Sequence, residues 1–169
     1  DYLSGGRAIL GLGASGPQVI EGFHGVPYDA PLGRTREIID ICRMVWRREK
    51  VEYQGEAYTF PLPPEQGTGL GKPLKIINHP VRADIPIYLA AIGPKNVALA
   101  AEIADGWLPV FCSPERFNEV FRPPLHEGFQ KRGEPHGDFD VCAAAPVSCQ
   151  GCSQPRATST TSTRLSAEE

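Results

Sequence analysis

The sequence predicts an α/β fold built on a parallel sheet. Three observations carry this. Short, continuously apolar runs recur along the chain, as expected for strands buried on both faces. Helical stretches with one apolar face separate them. Glycine-bearing turns follow the runs, at Gly11–Gly16 and at Gly93-Pro94. Strands that alternate with helices pair in parallel through right-handed crossovers.

Ser4-Gly5-Gly6 reads as the end of a helix, since glycine beyond a last turn adopts the left-handed conformation at little cost. A chain that opens on Asp1 and a helix terminus leads to the expectation of a preceding portion. Residues 7–11, with Ala8, Ile9 and Leu10, read as a short, fully buried strand. A helix is expected over residues 31–48, where Ile38, Ile41, Cys42 and Val45 share one face. Asp29 is placed to cap it and Pro31 suits its first turn. Its arginines, Arg34, Arg36, Arg43, Arg47 and Arg48, read as a solvated face, and Trp46 as packing. Residues 49–60 suggest a hairpin around Gly55, with Val51, Tyr53, Tyr58 and Phe60. Residues 61–85 form a Pro- and Gly-rich loop, of a length that is usually functional or mobile.

Residues 85–91 give the clearest strand. Gly93-Pro94 then opens a helix whose inner face is Val97, Ala100, Ala101 and Ala104. Residues 106–111 are the next strand. Ser113-Pro114-Glu115 starts a helix that Pro123-Pro124 should split. Residues 139–147 are a last strand. The four strand–helix units amount to about half of an eightfold barrel, which takes about 250 residues. Residues 148–169 are Ser- and Thr-rich with few large apolar groups, and are expected to be disordered. The organisation is therefore one domain over residues 1–147 and a tail over 148–169.

With 169 residues, 41% of them hydrophobic, the chain can bury a core. A net charge of −3 with no basic cluster argues against nucleic-acid binding. No apolar run reaches the roughly 18–20 residues of a membrane span, and no export signal is visible, so the expected location is the cytoplasm. Five cysteines, Cys42, Cys112, Cys142, Cys149 and Cys152, do not form a disulfide framework. Cys149 and Cys152 make a lone C-x-x-C without the second pair or histidines that a zinc site wants, so no metal is expected.

Gly11-Leu12-Gly13-Ala14-Ser15-Gly16 matches G-x-G-x-x-G after a strand. A dinucleotide site of that kind wants an acid closing the next strand, about 20 residues on. Asp29 lies in a loop and Asp40 inside a helix, so the match is set aside. The loop chemistry survives: glycines let a ligand approach the backbone, and N–H groups there attract phosphate. Gly93-Pro94-Lys95-Asn96 repeats the arrangement with an added positive charge. Tight turns alone would also account for these glycines.

The segments SGGRAILGLGAS, PYDAPLGRTREIIDICRMVW and PIYLAAIGPKNVALAAEIADGWLPV, in that order over residues 1–147, are similar to the luciferase-like flavin and deazaflavin oxidoreductases. The branch they most resemble is named F420-dependent. The resemblance implies part of a (β/α)₈ TIM barrel, about half its strands, that binds coenzyme F420 at the C-terminal face and transfers hydride to or from a small-molecule substrate. FMN, with monooxygenase chemistry, is the alternative coenzyme, and a non-catalytic remnant is the alternative of another class. By resemblance, Gly11, Leu12, Gly13 and Ser15 in the first turn, and Ala91, Ile92, Gly93, Lys95 and Asn96 in the second, contact the coenzyme. A homodimer is implied for a full-length member.

Two departures bear on chemistry. The family's sugar-phosphate dehydrogenases carry a catalytic glutamate where Ala14 and Ser15 stand here, which disfavours that substrate. The family strands that supply an acid and a histidine near the ring would precede Asp1, so no catalytic residue is assigned. The tail resembles nothing in the family, and a frameshifted end is the expectation for it. Of the remaining candidates, His24 reads as a solvated loop residue, and His79, His126 and His136 receive no role. Asp105 is expected to order the turn before Gly106. Trp107 reads as packing at the border of the coenzyme site.

Overall fold

The computed structural model describes residues 1–110, 112–132, 139–146 and 158–165. Two compact units result: residues 1–10 with 14–86, and residues 11–13 with 87 onward. Residues 147–157, which include the C-x-x-C, lie outside the described residues, as does His136.

In the first unit, Tyr2–Gly5 is a tight turn. The N–H groups of Ser4 and Gly6 donate to the Asp1 carbonyl at 3.2 and 3.0 Å, and Gly5 and Gly6 are left-handed, at φ 61° and 84°. The Asp1 carboxylate, only 3% exposed, accepts from Arg82 Nη2 at 2.7 Å. Arg82 Nη2 also donates to the Ala8 carbonyl at 2.5 Å, and Leu10 N donates to the Pro86 carbonyl at 2.9 Å. These bonds keep residues 7–9 out of a ladder. Strand β1 is therefore Leu10–Gly13 rather than residues 7–11. Nor is it fully buried: its residues alternate between half-buried and exposed, and Ile9 before it is 54% exposed. The reason is its place at the end of the sheet, with β4 as its one strand neighbour.

Helix α1, Pro17–His24, occupies a stretch that the sequence reading treats as loop. Pro at its first turn and Gly25 at φ 63°, donating to the Ile20 carbonyl, bound it. Its eight residues between glycines are too few to display a periodic face. Helix α2 runs Pro31–Trp46, close to the expected range. Asp29 does not cap it. The cap is Ala30, at φ 41°, and Asp29 pairs with Arg34 at 2.7 Å. The fully buried residue of α2 is Ile39, not a member of the expected face.

The hairpin forms as expected, with β2 Tyr53–Gln54 antiparallel to β3 Thr59–Phe60. Its turn is held by one side chain of α2. The buried Glu37 carboxylate accepts the N–H groups of Glu56, Ala57 and Tyr58 at 2.8 to 3.2 Å. Burial favours the neutral acid, but these three donors together with the charge of Arg34 outweigh it and hold the Glu37 pKa below its ordinary 4.5. Arg47 and Arg48, expected on the solvated face of α2, lie just past its end and bind the following loop. Arg47 pairs with Asp84 at 3.0 Å; Arg48 reaches the Ile76 carbonyl at 3.4 Å and His79 Nδ1 at 3.2 Å. Through them the end of α2 is tied to the 61–85 loop, whose regular structure is one short 3₁₀ turn, Pro64–Gln66.

The second unit holds the sheet. Its strand order is β1-β4-β5-β6-β7, with β4 Ile87–Ala90, β5 Gly106–Leu108, β6 Phe139–Pro146 and β7 Thr158–Leu165. Strand β5 is parallel to both β4 and β6, as the alternation predicts. Strand β7 lies antiparallel on β6 in a register that pairs Phe139 with Leu165. It falls within the segment expected to be disordered. A run of β-branched threonines suits an extended edge strand despite its low hydrophobicity.

Helix α3, Pro94–Ile103, buries Val97, Ala100 and Ala101 completely, and Ala104 just beyond it is equally enclosed. After a 3₁₀ turn at Pro114–Arg116 come α4, Phe117–Val120, and α5, Arg122–Lys131, which takes the Pro123-Pro124 pair into its first turn. The prolines thus divide the helical stretch where expected. Helix α5 packs on α3 through Gly128, where an added Cβ would meet Ala101 Cβ at 2.6 Å. Among the described residues, Cys42, Cys112 and Cys142 are free thiols.

Two outcomes test this architecture. Gly128→Ala overpacks the α3–α5 contact and should cost about 1–3 kcal/mol, read as a lower thermal midpoint by circular dichroism. Glu37→Gln should lower the urea midpoint at pH 7. Because the folded pKa of Glu37 is depressed, its stabilisation is complete above the ordinary value and fades as pH falls through the lowered one. The gap between wild type and variant should therefore narrow on acidification below about pH 4.

Candidate functional site

Strand β4 is buried at Ile87, Tyr88 and Leu89, which are 0, 8 and 3% exposed. A buried strand must pair its backbone polar groups even where the ladder stops. The Ala104-Asp105-Gly106-Trp107 segment supplies both ends. At the start, Asp105 Oδ2 accepts from Ile87 N at 2.9 Å, and Asp105 N donates to the Ile87 carbonyl at 2.8 Å. At the finish, Trp107 Nε1 donates to the Ala91 carbonyl at 2.9 Å. Between them Gly106 leaves room for the Tyr88 ring, which an added Cβ would approach at 2.9 Å. Tyr88 passes over Gly106 and its hydroxyl donates to Asp140 on β6. Asp105 thus orders the turn, as expected. Trp107 is fully buried against Phe121, at 4.9 Å between ring centroids, and also holds a polar group.

The second glycine turn follows directly. Ala91 is 5% exposed, whereas Ile92 is 66% exposed. Gly93 is extended, at φ −77° and ψ 153°, and caps α3 through its carbonyl, which accepts Val97 N at 3.0 Å. No side chain caps this helix. Pro94 has no N–H, so the N–H groups of Lys95 and Asn96 are those of a first turn without intrahelical acceptors. An added Cβ on Gly93 would meet nothing within 4 Å. Lys95 is exposed beside this end. An uncapped helix start with a neighbouring cation suits an anion.

The structure brings part of the first turn to the same place. Gly13 lies against β4: a Cβ there would sit 3.3 Å from Ala90 Cβ. Gly11 faces Leu108 in the same way, at 3.7 Å. Gly11, Leu12 and Gly13 therefore share the second unit with Ala91, Ile92, Gly93, Lys95 and Asn96. Ser15 belongs to the first unit. It is left-handed, at φ 56°, and its carbonyl accepts from Tyr28 Oη at 3.2 Å. Tyr28, Tyr88, Asp140 and Phe121 are contributors that sequence reasoning did not single out. Their partners lie 13 to 52 residues away, and no local pattern reports such pairings. Among the described residues no group of three or more His, Cys, Asp or Glu could hold a metal ion, and no helix is long and apolar enough to cross a membrane. His24 is exposed at the end of α1.

The sequence profile of the luciferase-like monooxygenases matches residues 1–156. The chain belongs to this family. A Mycobacterium tuberculosis relative named as a coenzyme F420-dependent oxidoreductase is 59% identical over 150 residues, which is 87% of this chain and 43% of that protein. The 5,10-methylenetetrahydromethanopterin reductase of Archaeoglobus fulgidus is 37% identical over 147 residues, 86% of this chain and 40% of its own. The solved coenzyme F420-dependent tetrahydromethanopterin reductase of Methanopyrus kandleri superposes with a TM-score of 0.61 at 30% identity, covering 83% of this chain and 41% of that one. The chain thus spans about two-fifths of the length of the relatives it matches. The fold class is that of part of a TIM barrel, with its parallel strands in the second unit.

Gly93 gives a direct test of the turn. Its backbone angles suit any residue and its surroundings are open, so Gly93→Ala should leave the thermal midpoint unchanged or raise it slightly, with a gain of up to about 1 kcal/mol from a less flexible unfolded chain. A marked loss of stability would show that the turn is packed rather than open.

Proposed function

We propose that this chain is the coenzyme-tail portion of an F420-dependent oxidoreductase that transfers hydride to or from a small organic substrate. The observation that carries the reading is the uncapped start of α3 beside exposed Lys95, on the same unit as Gly13 where it abuts the end of β4. The relatives named for F420, one of them 59% identical, support it. The residues fit such a group: Gly93 is open, and two first-turn N–H groups without a side-chain cap are available to a phosphate.

In this reading Gly11, Leu12 and Gly13 line the coenzyme from the first turn, and Ala91, Ile92, Gly93, Lys95 and Asn96 from the second. When bound, the deazaflavin ring supplies the two-electron hydride chemistry. The chain's own residues bind and orient. The N–H groups of Lys95 and Asn96 neutralise phosphate charge with the help of the α3 dipole, and Ala91 and Ile92 set the contour of the turn. The same reading carries a cytoplasmic location and, for the full-length protein, a homodimer. FMN is the second coenzyme considered, because the family carries the monooxygenase name and FMN also bears a phosphate.

Fluorescence titration of the chain with F420 and with FMN separates the two; tighter FMN binding would reverse the assignment. Lys95→Ala should weaken F420 binding roughly two- to fivefold, the worth of an exposed ion pair of about 0.4–1 kcal/mol, and the effect should shrink as salt is raised.

A further inference from the structure

We propose that Trp107 is a positioning residue for the coenzyme: its indole N–H locks the Ala91–Ile92 peptide plane so that the Ile92 N–H is presented outward at the ligand turn. The proposal rests on the coenzyme reading of that turn and adds the residue that sets its orientation.

A peptide group is planar and trans, so its C=O and N–H point in opposite directions. The Ala91 carbonyl accepts from Trp107 Nε1 at 2.9 Å. Trp107 is fully buried, so that carbonyl is directed into the interior. The Ile92 N–H of the same plane must therefore point away from Trp107, and Ile92 itself is 66% exposed. The indole donor fixes the direction of this carbonyl. Without it the buried carbonyl would have to turn to find another donor, carrying the N–H away from the ligand side. An indole is also the one aromatic side chain that both fills this core site and donates a hydrogen bond inward without accepting one. Phenylalanine would meet the packing requirement alone. The ring contact with Phe121, at 4.9 Å, is separate from the donated bond, so packing and positioning can be varied independently.

The test compares Trp107→Phe with Phe121→Leu in the 169-residue chain. Trp107→Phe keeps an aromatic ring and removes the donor; Phe121→Leu weakens the packing and keeps the donor. Both should lower the thermal midpoint. Only Trp107→Phe should raise the F420 dissociation constant, by roughly fivefold or more for one mispresented donor. It should also move the ¹⁵N–¹H resonance of Ile92, which Phe121→Leu should leave in place. If Trp107→Phe does not fold, β-(3-benzothienyl)alanine introduced at position 107 keeps the indole's shape without its N–H and should give the same binding loss. Wild-type chain that binds F420 while Trp107→Phe binds equally well overturns this inference and leaves the coenzyme reading intact. Weaker binding in both variants, in proportion to lost stability, also overturns it, since that is a packing effect. Failure of the wild-type chain to bind F420 removes the coenzyme reading and this inference with it.

Discussion

The second unit depends on one constraint: β4 is buried on both faces, so its backbone cannot leave a polar group unpaired at either end. Water is excluded there, and an unsatisfied N–H or C=O would cost about 1–3 kcal/mol. Neighbouring β5 meets the constraint with a single short segment. Asp105 takes the N–H of Ile87 at the entrance, and Trp107 gives its indole proton to Ala91 at the exit. Gly106 between them admits the Tyr88 ring. The Ala-Asp-Gly-Trp run is thus a set of fittings for its neighbour, each residue chosen by a different requirement. The ligand turn inherits its geometry from this arrangement, because the Ala91 carbonyl is the last fixed atom before the chain opens to Ile92 and Gly93.

The close approach of α3 and α5 follows from the same economy of space. Alanines on α3 and Gly128 on α5 let the helices meet almost backbone to backbone. The large side chains meet in two pairs, Trp107 tilted against Phe121 and Phe129 edge-on to Phe139. Arg132 closes the end of α3, donating to the Ala101 carbonyl at 3.1 Å while lying 5.6 Å over the Phe139 ring. It supplies donors to carbonyls that a helix end leaves without intrahelical partners.

The first unit is organised differently. Apart from α2 its regular elements are short, and side chains join them. Glu37 replaces the hydrogen-bond partners that a two-residue-per-strand hairpin cannot supply to its own turn. A carboxylate suits that task because it accepts several N–H groups at once. Arg34, Arg47 and Arg48 do for the flanking loops what Glu37 does for the hairpin. The apolar stripe of α2, at Ile38, Ile41, Cys42 and Val45, is half-buried, while Glu37 and Ile39 are its buried residues.

Most of the second unit was legible from sequence because its signals are local. A continuous apolar run, a glycine turn and an alanine-rich helix face each declare themselves within ten residues, and β4, α3 and the division at Pro123-Pro124 came out close to expectation. The glycine turns were legible for the same reason. Expectation and structure part where a side chain takes a group from its expected pairing. Arg82, far along the chain, binds the Ala8 carbonyl just before β1, and Asp29 pairs with its neighbour Arg34 instead of capping α2. The sequence by itself determined the α/β class, the parallel pairing and the identity of both glycine turns, since backbone sterics and burial periodicity are properties of neighbouring residues. Only the tertiary structure decided that Gly13 rests on β4, that Ser15 falls in the other unit, and that a buried tryptophan holds the Ala91 carbonyl, because those depend on which groups meet after residues far apart in the chain are packed together.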